Sequence, residues 1–284
     1  MLKLAILSDI HGNSIALQAV LRDLDARGDT SHIIVLGDLA VFGPDPGGVL
    51  NLLQAREPVS YVRGQTDRCL VEAHCLSNLT NWGGKSQLSA SFSWTAKQLS
   101  QAGLQFLAGL PSQQILRFSE SHVVLAVHGS PRSDEEYIHP HTSDIELNSM
   151  LGDLSYNLLL CAHTHIPFDR VVAGRRIVNV GSVGLPFDGD RRASYALVYL
   201  RPGGEYQVEF RRVAYNVEAV VQQLLAIDHP AASISAPSLR AAQPLNQGLI
   251  YAGQRQRRLR STTRWQYQNA VFGFTQTSNA YASP

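Results

Sequence analysis

The chain is short of several things, and each shortage closes a class. Cysteine is scarce: Cys69, Cys75 and Cys161 are the three in 284 residues. They form no even disulfide framework, and a reduced, cytoplasmic setting is the expectation. No apolar stretch approaches the ~18 residues of a membrane helix, so no membrane span is expected. The N-terminal run Leu2–Leu7 meets Asp9 too soon to serve as a secretory signal. Internal repeats are absent. Net charge is small, at +1, so the chain as a whole has no field that selects acidic or basic partners. What is not short is apolar material: 44% hydrophobic against 17% charged residues supports a sizeable core and excludes global disorder.

Charge is unevenly placed. From Asp228 onward there are six Arg, no Lys and one acid, about +5, while the preceding 227 residues carry 18 basic and 22 acidic side chains, about −4. Residues 1–227 read as the folded domain. Residues 228–284, without sustained periodicity, read as a basic, flexible tail with a short helix near 249–259. The Arg255-Gln256-Arg257-Arg258 cluster could attract nucleic acid or anionic lipid. No aromatic-interleaved basic face accompanies it, so a solvated tail is the reading and nucleic acid is not an expected partner.

Within the body, apolar runs of strand length alternate with helical spacing. Leu2–Leu7, Ile33–Leu36 and Val59–Val62 are strands. Ala16, Leu17, Val20, Leu21 and Leu24 recur at helical spacing behind Asn13-Ser14, and a short helix is expected near Val49–Gln54. Residues 69–110 read as mostly helical. The pattern then changes to hairpins: Gln114–Phe118 with His122–Val127, and Val171-Val172 with Ile177–Asn179 about a turn at Gly174. Tyr195–Leu200 and Tyr206–Val213 are the last strands, and Val217, Val220, Val221, Leu224 and Leu225 mark a final amphipathic helix. Early β/α alternation followed by hairpins predicts an α/β fold of mixed sheets with helices outside.

Five strand runs end in a potential metal ligand. These are Asp9 with His11, Asp38, Gln65, His128, and His163 with His165 after Leu158-Leu159-Leu160-Cys161-Ala162. In extended chain, residues i and i+2 face one side, so each pair could converge. A single histidine there could equally cap a strand. Ligand sites of open α/β sheets lie at the carboxyl ends of strands. A mixed imidazole, carboxylate and amide set suits Mn, Fe, Zn, Ni or Co rather than Ca or Mg. Seven residues exceed what one ion needs, so two divalent ions with Asp38 as the shared carboxylate are the expectation. Such a pair, about 3.5–4 Å apart, holds phosphate oxygens and lowers the pKa of a bridging water toward neutrality. The reaction this predicts is hydrolysis of a phosphate ester by metal-bridging hydroxide, without a covalent nucleophile.

The series Asp9-x-His11, Gly37-Asp38, Gly64-Gln65-x-Asp67, His128-Gly129 and Ala162-His163-x-His165 resembles the calcineurin-like metallophosphoesterase superfamily. The small bacterial and archaeal phosphodiesterase-like branch is the nearest, and Gly181-Ser182-Val183-Gly184 also resembles it. The resemblance covers residues 1 to about 215. It implies a four-layer α/β/β/α sandwich of two facing mixed sheets flanked by helices. It also implies Asp9, His11, Asp38 and His165 around one ion, Asp38, Gln65, His128 and His163 around the other, and Asp67 as an orienting residue.

Three departures from the pattern matter. Gln65 stands where Asn is usual, one methylene longer, which predicts weaker second-metal affinity. Thr66 stands where a histidine often serves as acid for the leaving group, which favours diesters or nucleotide-type esters over simple alkyl monoesters. Ala162 and Val180 replace Gly and Pro with little chemical effect. Arg63 and Arg68 could clamp phosphate or be ion-paired in their loop, and Asn13 could line the substrate or cap its helix. His74, His139 and His141 could donate a proton or simply be surface residues, and Cys161 reads as core. The expected partner is a small phosphorylated substrate. The reading of another class is a protein-interaction scaffold, as in the retromer subunit that resembles this family. Retention of every metal histidine and aspartate speaks for the enzyme.

Overall fold

The computed structural model describes residues 2–72 and 85–244. His74, Cys75, the expected helix near 249–259 and the Arg255 cluster lie outside the described residues.

Among the described residues ten strands form two five-stranded sheets. The first has the order β10(Tyr206–Val213), β9(Ala193–Leu200), β1(Leu2–Leu7), β2(His32–Val35), β3(Val59–Tyr61). Here β1, β2 and β3 run parallel, and β9 is antiparallel to both β1 and β10. The second has the order β4(Gln113–Ser119), β5(His122–Val127), β6(Leu158–Cys161), β8(Arg175–Asn179), β7(Phe168–Val172). In it β5, β6 and β8 are parallel, flanked by antiparallel β4 and β7. Both sheets are mixed, as expected.

The period of two along each strand sets the layers. Leu4 and Ile6 of β1 meet Val124, Ala126, Leu158 and Leu160 in a core between the sheets. Ala5 and Leu7 point the other way, into a core shared with α1(Ser14–Arg27) and α2(Pro46–Gln54). Val123, Leu125, Leu159 and Cys161 form a third layer with α6(Asp144–Leu151). Strand segments buried on both faces must read as unbroken apolar runs, and Leu4–Leu7, Val123–Val127 and Leu158–Cys161 do. Among the described residues the expected helical block contains α3(Gln65–Val71), α4(Lys85–Gln98) and α5(Gln101–Ala108).

One expectation needs correction. The chain does not become a tail at 227. Helix α7(Val217–Ala226) is followed by α8(Ala232–Ala241), and one compact unit takes in Met1–Leu245. Helix α8 was invisible to periodicity because its buried side is small: Ser235, Ala236 and Ser238, with Leu239 the one large buried group. Cys161 is a free buried thiol, as its core position in β6 suggests. No helix among the described residues is long and apolar enough to cross a membrane.

Candidate metal centre

The strand-end residues meet at one edge of the sandwich. Asp9 and His11 follow β1, Asp38 follows β2, Gln65 opens α3 after β3, His128 follows β5, and His163 and His165 follow β6. All seven are buried. They converge for a different reason from the one expected. The pairs are not in extended chain: Asp9 (φ 51°), His11 (φ 49°), Asp38 (φ 56°), His163 (φ 69°) and His165 (φ 59°) all have left-handed backbone. That region is sparsely used by residues other than glycine and concentrates at functional sites.

Asp38 Oδ2 lies 3.7 Å from Nε2 of both His11 and His128. Asp9 Oδ1 lies 3.2 Å from His165 Nε2, 3.8 Å from His11 Nε2 and 3.9 Å from His128 Nε2. Two groups therefore have all their donor atoms within 4.8 Å of one another: Asp9, His11 and His165, and Asp9, Asp38 and His128. Two carboxylates, not Asp38 alone, stand between the histidines. Gln65 and His163 border this cluster. Gln65 Oε1 is buried without a hydrogen-bond partner, and His163 donates its backbone N–H to Asp9 Oδ2 at 3.3 Å.

The surrounding backbone fixes the imidazoles. Nδ1 of His11, His128 and His165 is bonded to the carbonyls of Val41, Leu36 and Leu185. A carbonyl only accepts, so each Nδ1 carries the proton and each Nε2 presents a lone pair to the cluster. Asp67 accepts from the N–H groups of Asp38 at 2.7 Å, Gly64 at 3.1 Å and Leu39 at 2.9 Å, which holds the Asp38 loop against α3. A Cβ on Gly64 would collide with Asp38 Oδ1, so only glycine permits this approach. The Gly181–Gly184 loop has a definite part. Ser182 Oγ and the Gly184 N–H both donate to the Asp9 carbonyl, at 2.7 and 3.0 Å. Asn179 ties the His163 loop by donating to the Ala162 carbonyl at 2.6 Å.

Burial and neighbouring charge oppose each other across the cluster. Burial would raise the Asp9 carboxyl, but His165, His128 and His11 beside it outweigh that and hold it below the usual carboxylate range. Burial depresses His11 and depresses His163 strongly. For His128 and His165, burial acts downward and the carboxylates of Asp38 and Asp9 prevail, raising both. Burial and the charge of Asp38 push Asp67 up to about 7.

Sequence reasoning missed three aromatic neighbours. Phe187 stacks on His165 with ring centroids 4.3 Å apart, and Tyr137 stacks on His163 at 4.0 Å. Phe42 tilts against His11 at 5.6 Å. Phe42, Tyr137 and Phe187 sit in loops without a periodic signal.

The substrate residues expected from sequence are otherwise engaged. Asn13 caps α1, accepting from the Ala16 N–H at 3.0 Å and donating to the Gly184 carbonyl at 2.9 Å, so both of its polar atoms are used. Arg68 forms a bidentate pair with Asp134 at 2.6 and 3.1 Å and reaches Glu135 at 2.8 Å. Arg63 pairs with Glu72 at 3.2 Å. Asp134 matches the guanidinium fork of Arg68, and Glu72 takes one arm of Arg63. Thr66 is buried with its hydroxyl unpartnered, and its N–H donates to Asp38 Oδ1 at 2.9 Å. His139, half-buried, stacks on Tyr137 at 5.5 Å, whereas His141 is exposed.

Residues 2–203 match the calcineurin-like phosphoesterase superfamily domain, and the chain belongs to that superfamily. It is 29% identical over 239 residues to the uncharacterized protein MJ0912 of Methanocaldococcus jannaschii, covering 78% of this chain and 91% of that one. Among solved structures it is similar to a metallophosphoesterase from Sphaerobacter thermophilus, with 29% identity, TM-score 0.66, and 85% of this chain and 100% of that one covered. The hypothetical protein PH1004 from Pyrococcus horikoshii shares the fold at TM-score 0.72 with 21% identity, covering 86% of this chain and 98% of that one. The bacterial and archaeal sources agree with the branch expected from sequence, and the Asp and His cluster provides for divalent metal.

Proposed function

We propose that the protein is a dinuclear-metal phosphoesterase acting on a phosphodiester or nucleotide-type ester. Asp9, His11, Asp38 and His165 form one ligand set, and Asp38, Gln65, His128 and His163 the other. One observation carries this reading. Asp9 Oδ1, Asp38 Oδ2, Gln65 Oε1 and His128 Nε2 are all buried without a hydrogen-bond partner. Buried polar atoms normally find one, and acceptors gathered without donors fit cations. Two ions of the Mn, Fe, Ni, Co or Zn class would supply Lewis acidity toward phosphate oxygens and a water of lowered pKa.

The protein's own part is placement. Asp67 and the Gly181–Gly184 loop fix the two carboxylate-bearing loops. Carbonyls orient three imidazoles so that their lone pairs point inward. Thr66 offers no acidic proton to a departing alkoxide, which supports diesters and other esters with good leaving groups.

The test is hydrolysis of an activated aryl phosphodiester beside the matching monoester. Chelator-stripped protein is reloaded with Mn, Ni, Co, Zn or Mg, and Asp38→Ala serves as control. Metal-dependent turnover that favours the diester and disappears in Asp38→Ala is expected. Folded protein that binds metal but turns over neither ester would reject the enzyme in favour of the scaffold.

A further inference from the structure

We infer that the C-terminal helix pair, α7 and α8, is a positioning device for the His11 and His165 half of the metal centre; this rests on the metal reading above. Three contacts lead there. Leu185 is buried in an apolar cluster with Val220, Val221 and Leu224 of α7 and Ala236 and Leu239 of α8, and Phe187 packs against the same cluster. The Leu185 carbonyl accepts from His165 Nδ1, and the Phe187 ring stacks on the His165 imidazole. The loop that orients His165 therefore has its own side chains anchored between the two helices.

The second contact reaches His11. Ser235 Oγ on α8 donates to the Phe42 carbonyl at 3.0 Å. Phe42 leans on His11, and the preceding Val41 carbonyl accepts from His11 Nδ1. The third is the Gly189 N–H, which donates to the Ala242 carbonyl at 3.0 Å and ties the far end of the Phe187 loop to the end of α8. Helix α8 thus touches both loops that aim this pair of histidines.

The other half is supported differently. His128 Nδ1 is held by the Leu36 carbonyl, and the Leu36 side chain lies in the core between the sheets. His163 rests under Tyr137. Neither support belongs to the α7/α8 cluster, so loosening the helices should act on one half alone. Groups that orient a metal's histidines are typically worth about 10–100-fold in affinity.

The experiment compares full-length chain with Leu239→Ala and Leu239→Met by Co(II) titration of chelator-stripped protein, with His165→Ala marking the affected site. Amide hydrogen exchange over residues 183–187 and 41–43 is measured alongside. Leu239→Ala should weaken the site lost in His165→Ala about tenfold, leave the other within about twofold, and speed exchange in those two segments. Leu239→Met should restore both. Equal weakening of both sites, or no change in either, overturns the inference. If wild-type protein takes up no Co(II), the metal reading fails. Exchange then decides the brace: acceleration confined to those segments supports it, and none refutes it.

Discussion

Nε2 of His11 and Nε2 of His165 face each other at 3.2 Å, while the Nδ1 atom of each is bonded to a backbone carbonyl. Both Nδ1 atoms therefore carry protons, and the two Nε2 lone pairs converge beside Asp9 Oδ1. A cation resolves that arrangement. Divalent metal should accordingly stabilise the folded chain by about 2.7 kcal/mol at a hundredfold excess over its Kd. In a chain of this size that is a Tm rise of roughly 5–10 °C. Scanning fluorimetry of stripped and reloaded protein measures it, and His165→Ala should abolish most of the rise. A Tm indifferent to both chelator and metal would sink the metal centre.

Gln65 opens α3 with a buried, unpartnered amide oxygen at the border of the cluster. Its extra methylene sets that oxygen about an ångström from where asparagine would place it, or obliges the loop to shift. Gln65→Asn should therefore raise affinity at the weaker of the two proposed metal sites by about tenfold, equivalent to ~1.4 kcal/mol. Metal content after gel filtration, by mass spectrometry, is the readout. Identical occupancy in the two proteins would show that Gln65 is no handicap.

Asp67 is an acceptor for three backbone N–H groups at once. An amide of the same shape offers a single oxygen and turns its NH2 toward a donor. Asp67→Asn should cost about 1–3 kcal/mol for the buried group left unsatisfied. It should also weaken metal binding, because the Asp38 loop loses its tie to α3. Urea unfolding with and without metal separates the effects: a stability loss with unchanged metal affinity would confine Asp67 to the fold.

The layers were readable because a strand segment buried on both faces has to be apolar throughout, as Leu4–Leu7 and Leu158–Ala162 are. The residues that converge were readable because polar groups follow those runs directly. Their geometry was not. Left-handed backbone at Asp9, His11, Asp38 and His163 goes with N–H groups donated to other loops, which no local pattern records. Arg68 looked available for phosphate because Asp134 and Glu135, its partners, lie more than sixty residues away. Helix α8 was hidden because Ala and Ser pack helices closely without leaving a hydrophobic period.

His229 makes acid stability a test of how that helix is seated. The ring is buried just before α8 and meets Trp94 of α4 edge-on, with centroids 4.4 Å apart. Its Nδ1 accepts from the Ala231 N–H at 3.0 Å, which requires an unprotonated nitrogen. Burial pushes its pKa from 6.5 down to about 4. Between those values the unfolded chain takes up a proton that the folded chain refuses, so this contribution is full above about pH 6.5 and is lost as pH falls toward 4. Near pH 5 the loss should approach roughly 2 kcal/mol, with burial of the ring setting its upper limit. His229→Asn keeps an acceptor for the Ala231 N–H and cannot titrate in this range. Its unfolding free energy, from urea melts at about pH 7 and about pH 5, should fall less than that of wild type by that amount. Parallel losses in the two proteins would place the acid sensitivity elsewhere.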